Sequence, residues 1–166
     1  MSNVSHDSET PAKGQQVITA VAFVHALIDG EQKVFMPKRA VTKKFLPDVF
    51  ELPGGHIDYG EELEAGLARE IKEEFGMNVS IGDVFGAFTY VNEVKGSHSV
   101  ELIYLASFSD PIDQITLDPE DHSEYRWVAE SELDSIYSEQ KGEDDIEYKF
   151  VKKGFDLLNK KGVLLS

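Results

Sequence analysis

The spacing of apolar residues changes along the chain, and each change predicts an element. Val17 to Ile28 is a nearly continuous apolar run, rich in β-branched residues and too short to span a bilayer, which predicts a central strand buried on both faces. Asp29-Gly30-Glu31 reads as a turn, and Gln32 to Met36 as a second strand closing a hairpin. Pro37 to Val49 breaks the pattern with two prolines and reads as a loop, followed by a short strand from Phe50 to Leu52. Glu61 to Phe75 contains no proline and is dominated by alanine, leucine, glutamate, lysine and arginine, so it predicts a helix that Gly76 ends. Two longer strands follow, Val79 to Val91 and Ser99 to Ser107, and then a short one, Tyr125 to Val128. Glu130 to Ile136 begins a short helix with Ser131 as its cap, and Asp144 to Asn159 closes the chain as an amphipathic helix.

The first helix carries more than a core face. At about 100° per residue, Leu63, Leu67, Ile71 and Phe75 share one stripe, while Glu70, Glu73 and Glu74 converge beside it. Glu74 lies almost in register with Leu67, at the edge of the apolar stripe. Three carboxylates within two turns repel one another, and one of them is headed for partial burial, so a cation must compensate them. Oxygen ligands of this kind suit a hard divalent ion, Mg2+ or Mn2+. Gly66, one turn before Glu70, gives up about 1 kcal/mol of helix propensity relative to alanine. It leaves room above the helix for a phosphate and ion, or serves packing alone.

The helix is preceded by Glu51-Leu52-Pro53-Gly54-Gly55, a strand end running into a glycine loop that permits close backbone approach. Taken together, Gly55, Glu61, Arg69-Glu70, the apolar Ile71, Glu73-Glu74, Gly76 and the apolar Met77 follow the pattern G-x5-E-x7-R-E-U-x-E-E-x-G-U, with U apolar. Composition alone would produce that pattern with odds on the order of one in a million. The segment resembles a complete Nudix box, the signature of the Nudix hydrolases. The resemblance implies an α/β fold, an α/β/α sandwich around a mixed sheet, over roughly residues 17 to 160. Residues 1 to 16 are polar and read as a flexible tail, and residues 17 to 166 as a single domain.

What the resemblance implies about chemistry is specific. The Gly54 carbonyl with Glu70, Glu73 and Glu74 would serve the metal, and Arg69 would pair with a box glutamate to hold the carboxylates in place. Glu51, Pro53 and Gly54 would border the substrate. Family members often add an acid from the loop before the last strand, where Glu120, Asp121 and Glu124 are available here. Glu120 or Asp121 is expected at the site, whereas Glu124, just before an aromatic strand, is expected to anchor backbone. The proton of the attacking water would go to a box glutamate or to the loop acid. His25, His98 and His122 are expected to be structural or solvated, because magnesium prefers oxygen. Phe45, Phe88, Tyr90 and Tyr104 could stack on a base, but in a chain with ten phenylalanines and six tyrosines each is more often core or rim.

Charge narrows the partners. The chain of 166 residues carries a formal charge of −15, which disfavours nucleic acid and anionic membranes as nonspecific partners. The distribution is uneven. Residues 118 to 147 hold twelve acids against two bases, while Lys33, Lys38, Arg39, Lys43 and Lys44 precede the box. Arg39, supported by Lys38, is expected to hold a phosphate that does not react. Cysteine is absent, which excludes a disulfide framework, a zinc-thiolate site and a thiol nucleophile. No apolar run resembles a signal peptide or a membrane span, so a cytoplasmic location is the expectation. The pattern is silent on assembly, and a homodimer is left open.

The activity implied is metal-dependent hydrolysis of a nucleoside diphosphate linked to another moiety. The markers of ADP-ribose and NADH hydrolases are not evident, and Tyr90 falls short of the position expected of a dinucleoside polyphosphate hydrolase. A nucleoside triphosphate or modified deoxynucleoside triphosphate is therefore favoured. Two rivals remain. Isopentenyl diphosphate isomerase shares the fold but needs a cysteine, and a noncatalytic nucleotide sensor would be expected to have eroded the box glutamates.

Overall fold

The computed structural model describes residues 11–140 and 145–165. Six strands form one mixed sheet: β1 (Gln16–Ile28), β2 (Glu31–Arg39), β3 (Gly54–His56), β4 (Val79–Asn92), β5 (Ser97–Phe108) and β6 (His122–Ala129). Three helices accompany them, α1 (Leu63–Phe75), α2 (Leu133–Gln140) and α3 (Ile146–Leu165). The strand order is β4-β5-β1-β2-β6, with β3 pairing to β1 off this path. Only the β1–β5 pair is parallel among these pairings.

The uninterrupted apolar run of β1 is explained by its place at the centre. Val21 and Phe23 face a core shared with Leu133, Ile136 and Tyr137 of α2 and with Val151 and Phe155 of α3. Ala20, Ala22 and Val24 face the opposite core, where Leu67, Ile71 and Phe75 of α1 pack. Small side chains on that second face let α1 lie close to the sheet. The result is the expected α/β/α sandwich. No helix among the described residues is long and apolar enough to cross a membrane.

β1 also creates the opening that matters. Its first half pairs with β3 through Thr19–Val21, and its last residues, His25–Ile28, pair with β2. Where the partner changes, the Ala22 N–H donates to the Pro53 carbonyl at 2.9 Å. β2 and β3 therefore splay apart from one central strand, and a cleft opens between them beside the C-terminal half of α1.

Several boundaries differ from the sequence pattern, each for a local reason. β2 runs on through Pro37 to Arg39, because the Pro37 carbonyl accepts from the Glu51 N–H. Its nitrogen points to that same side, away from the β6 ladder, and no ladder bond is lost. Phe50–Leu52 is not a strand; Phe50 makes one isolated bridge to Lys38, and the glycines behind it form β3 instead. Helix α1 starts at Leu63, which lies exposed, and Gly66, Leu67, Ile71 and Phe75 form its buried face. A Cβ on Gly66 would come within 2.7 Å of Glu61 Oε1 and Ile57 Cδ1. The glycine therefore makes room for those side chains, which favours packing over space for a ligand. Ser131 is not a cap: Glu132 accepts from the Ala129 N–H at 3.0 Å and closes that turn. Asp144 lies outside the described residues. At the other end, residues 12–15 are fixed by Ala12 N–H to the Lys95 carbonyl, Gly14 N–H to the Gly96 carbonyl, and the Gln15 carbonyl accepting from His98.

Phe35 ties α1 to the sheet. It is fully buried, with ring centroids at 5.1 Å from Phe75, 5.3 Å from Phe108, 5.2 Å from Tyr125 and 5.4 Å from Trp127. Phe35→Ala is expected to cost about 3–5 kcal/mol in chemical denaturation. A loss under about 1 kcal/mol would mean that this aromatic cluster does not fasten α1.

Candidate active site

The cleft between β2 and β3 has a volume of about 470 Å³ and gathers residues from all six strands, α1 and the loops between them. Thr19 and Val21 come from β1, Arg39 from β2, Lys43, Phe45 and Glu51 from the following loop, and Gly54, Gly55 and His56 from β3. Helix α1 presents Arg69, Glu70, Glu73 and Glu74, and the segment entering β6 supplies Asp118, Asp121 and His122. Two glycines allow the approach. A Cβ on Gly54, at φ +147°, would lie 2.1 Å from the Ala20 carbonyl oxygen, and one on Gly55 would lie 2.6 Å from the Glu70 carboxyl. Only glycine lets β3 sit between β1 and the acid face of α1.

Arg69 organises that face. Its guanidinium donates to Glu61 at 2.7 and 3.0 Å, to Glu70 at 3.2 Å, to Glu73 at 3.1 Å and to the His56 carbonyl at 3.1 Å. Glu61 in turn accepts from the Asp58 N–H at 2.9 Å, so the loop before α1 is tied to the helix. Arg69 thus holds carboxylates in place, and its charged form is strongly favoured, first by the Glu61 hydrogen bond. Glu73 has a side chain 59% exposed and is turned towards Arg69, so it steadies the arginine more than it faces the buried acids.

On the other wall, His122 joins two carboxylates. Its Nε2 donates to Glu51 at 2.9 Å, while Nδ1 faces Glu74 at 3.9 Å without a hydrogen-bond partner among the described residues. Arg39 donates to the Phe45 carbonyl at 3.0 Å and pairs with Glu51 at 3.5 Å; its side chain is only 11% exposed. Lys43 pairs with Asp121 at 3.1 Å.

Three of the residues singled out in the sequence are not brought to the cleft. Lys38 neighbours Arg39 on a strand and so points to the opposite face, where it pairs with Asp48 at 3.2 Å and Glu124 at 3.6 Å. Glu124 therefore serves Lys38 and Arg126 instead of anchoring backbone. Glu120 is exposed, because the Asp118 side chain accepts its N–H while the Asp118 carbonyl accepts those of Asp121 and His122. That turn sends Asp121 inward and Glu120 outward. Pro53 is buried and contributes its carbonyl to β1, not a surface to the cleft. Lys43, part of the basic cluster ahead of the box, also lines the cleft, as do Asp58, Asp118 and Glu101, which no local pattern singles out, and His122, which the pattern assigns a structural or solvated place.

This geometry coincides with the match of a family model described as NUDIX domain, which covers residues 18–153. The chain belongs to the Nudix family. It is 31% identical over 157 residues to the m7GpppN-mRNA hydrolase NUDT17 of Danio rerio, covering 86% of this chain and 51% of that relative. It is 27% identical over 82 residues to the ADP-ribose pyrophosphatase of Methanocaldococcus jannaschii, covering 49% of this chain and 47% of that protein. The chain thus spans about half the length of both relatives. Among solved structures, the MutT protein of Methanosarcina mazei Go1 superposes with a TM-score of 0.69 at 21% identity, covering 90% of this chain and 99% of that one. An Ap4A hydrolase of C. elegans gives 0.68 at 21%, covering 87% and 98%. At those identities the two structures support the fold.

The Nudix box carboxylates are electrostatically crowded. Burial pushes Glu70 up to about 7; neighbouring Glu73 adds to the rise and Arg69 opposes it. Burial also drives Glu74 well above the usual range, reinforced by Glu51, Glu70 and Asp121. This oxygen-rich set fits a hard divalent cation. No three acids or histidines among the described residues are placed to chelate an ion alone. A divalent ion held there would complete its shell with water and substrate phosphates.

A raised carboxylate means that the folded, metal-free protein holds protons which the unfolded chain releases. Its stability should fall as pH rises from about 4.5 to about 7 through Glu70, and Glu74, raised well above the usual carboxylate range, extends the fall. The melting temperature of wild type, relative to Glu70→Gln/Glu74→Gln, should drop between about pH 5 and about pH 7.5. Magnesium should recover the loss beyond what sodium chloride of equal ionic strength achieves. Equal pH slopes and equal magnesium gains in both proteins would show that these carboxylates are not the source.

Proposed function

We propose that this Nudix protein hydrolyses a phosphoric anhydride bond in a nucleoside diphosphate linked to another moiety, with a nucleoside triphosphate or modified deoxynucleoside triphosphate as the favoured substrate. The observation that carries the reading is the facing of two walls across one cleft. Glu70 and Glu74 of α1 meet Glu51 and Asp121, with Arg39 and Lys43 held beside those acids. A polyphosphate chain needs cations of this kind on one side and a divalent ion on the other.

Glu70 and Glu74, with the Gly54 backbone, would hold magnesium or manganese, which supplies Lewis-acid neutralisation of the phosphate oxygens. Water attacks one phosphorus, the bond to the bridging oxygen breaks, and that oxygen leaves with the other phosphate. The proton of the water passes to a cleft carboxylate, Glu70, Glu74 or Asp121. Arg69 does not touch the reacting atoms in this scheme; it fixes Glu70 and Glu73 before substrate arrives. Lys43 and Arg39 orient phosphate, and Arg39 also props Glu51.

A noncatalytic sensor would be expected to have eroded the box glutamates, and every one of them is present. The relative named m7GpppN-mRNA hydrolase supports a second reading, a capped dinucleotide, in which the same anhydride chemistry applies to a larger leaving group.

The test is a panel of nucleoside triphosphates, a modified deoxynucleoside triphosphate, ADP-ribose, a dinucleoside polyphosphate and m7GpppG with magnesium, assayed for released phosphate and pyrophosphate. A triphosphate should give the highest kcat/KM. Glu74→Gln should reduce turnover on the order of 100-fold or more while circular dichroism stays unchanged. Activity of that variant within a few-fold of wild type would remove Glu74 from the metal platform, and no turnover of any compound would favour the sensor.

A further inference from the structure

The strand that carries the glycine wall of the cleft is weakly built. β3 is Gly54–His56, and two of its three residues are glycines. Glycine loses more conformational freedom on folding than any other residue and brings no side chain to pack, so a strand made on it needs fixing from elsewhere. His56 is the one residue of β3 with a side chain, and it is 6% exposed. Its Nε2 lies 3.1 Å from the Nζ of Lys95, a lysine only 3% exposed and 39 positions further along the chain. An amine carries hydrogens to donate, so Lys95 donates and Nε2 takes the accepting part.

A lysine is rarely buried this deeply, and its backbone shows how it is held. Lys95 sits in the turn between β4 and β5, where Asn92, 1% exposed, accepts the N–H groups of Val94 and Lys95 through Oδ1 at 3.0 and 3.1 Å. The Asn92 carbonyl accepts from the Gly96 N–H at 2.8 Å, and the Lys95 carbonyl accepts from the Ala12 N–H at 2.8 Å. The main chain is thus fixed on both sides of Lys95, and the side chain reaches from this turn to β3. What it meets there matters to the site. The His56 carbonyl accepts from Arg69 at 3.1 Å, and Gly54 stands at the other end of the same three-residue strand. A displaced His56 would disturb both the arginine that organises the acid face and the backbone offered to the ion.

We propose that Lys95 is a positioning residue for the metal platform: through its buried hydrogen bond to His56 it holds β3, so that the Gly54 backbone and the carbonyl that Arg69 grips stand in place before an ion binds. The proposal rests on the reading of Gly54, Glu70 and Glu74 as the ion site.

The experiment is Mn2+ binding to the nucleotide-free protein, followed by the electron paramagnetic resonance of the free ion, with circular dichroism on every variant. Lys95→Met keeps a buried stem and removes the donor. It should weaken Mn2+ binding roughly 10- to 100-fold, as loss of support behind metal ligands typically does. His56→Leu should do the same, and the double variant should bind no more weakly than the poorer single. His56→Gln offers Lys95 an amide oxygen and should recover most of the affinity that His56→Leu loses, a rescue that a role in packing alone would not produce. This contrast keeps the proposal testable if Lys95→Met does not fold. In nitrogen NMR of wild type, His56 Nε2 should show the shift of an unprotonated, accepting nitrogen. A protonated Nε2, wild-type affinity in folded Lys95→Met, or His56→Gln as poor as His56→Leu would each overturn this proposal alone. Wild type that binds no Mn2+ would overturn the ion site and this proposal together.

Discussion

One guanidinium sets the geometry on which the rest of the site depends. Arg69 has only a few atoms, yet it binds Glu61 before the helix, Glu70 and Glu73 within it, and the His56 carbonyl of β3. Its side chain is 30% exposed, so these pairs contribute little net stability. Their effect is positional. Without a fixed cation on that edge, like charges one turn apart would turn towards solvent and away from one another. With it, Glu70 keeps its place beside Gly55, and Glu74 is the one left facing Glu51, Asp121 and His122 without such a partner.

The sheet supplies the second constraint. β1 exchanges β3 for β2 along its length, and the gap between those two partners is the cleft. The acid face of α1 reaches that gap because β3 opens on two glycines, and it stays there because Leu67, Ile71 and Phe75 are sunk into a face of small β1 residues. Packing energy from one side of the helix, about 1.5–3 kcal/mol for each large side chain, outweighs the repulsion among carboxylates on the other. A bound divalent ion would then relieve a strain that the hydrophobic core has already overcome.

How much of this was legible depended on distance along the chain. The box is local: helical spacing places Glu70, Glu73, Glu74 and Arg69 without knowledge of the fold, and the sandwich follows from the order of apolar runs. Lys38 was misplaced because Pro37 made the segment look like a loop. As a strand, its period of two already separates Lys38 from Arg39. Glu120 and Asp121 could not be ranked, since the choice is made by a turn centred on Asp118. His122, Tyr90 and Glu101 lie on strands whose nearness to the box depends on sheet order, which no local signal contains. His122 is no expected metal ligand, and the structure gives it a different task, hydrogen bonding to Glu51 on the cleft wall.

The central claim is that Arg69 acts by assembling this carboxylate network through Glu61. The most direct test is a double-mutant cycle in kcat/KM, with magnesium and the best nucleotide, on Arg69→Lys, Glu61→Gln and the pair. Each single change should cost on the order of 10- to 100-fold, the usual penalty for losing a partner that orients metal ligands. The double variant should be little worse than the poorer single, which corresponds to a coupling of about 1.4–2.7 kcal/mol. Losses that simply multiply, in variants that retain the wild-type circular dichroism, would contradict the account.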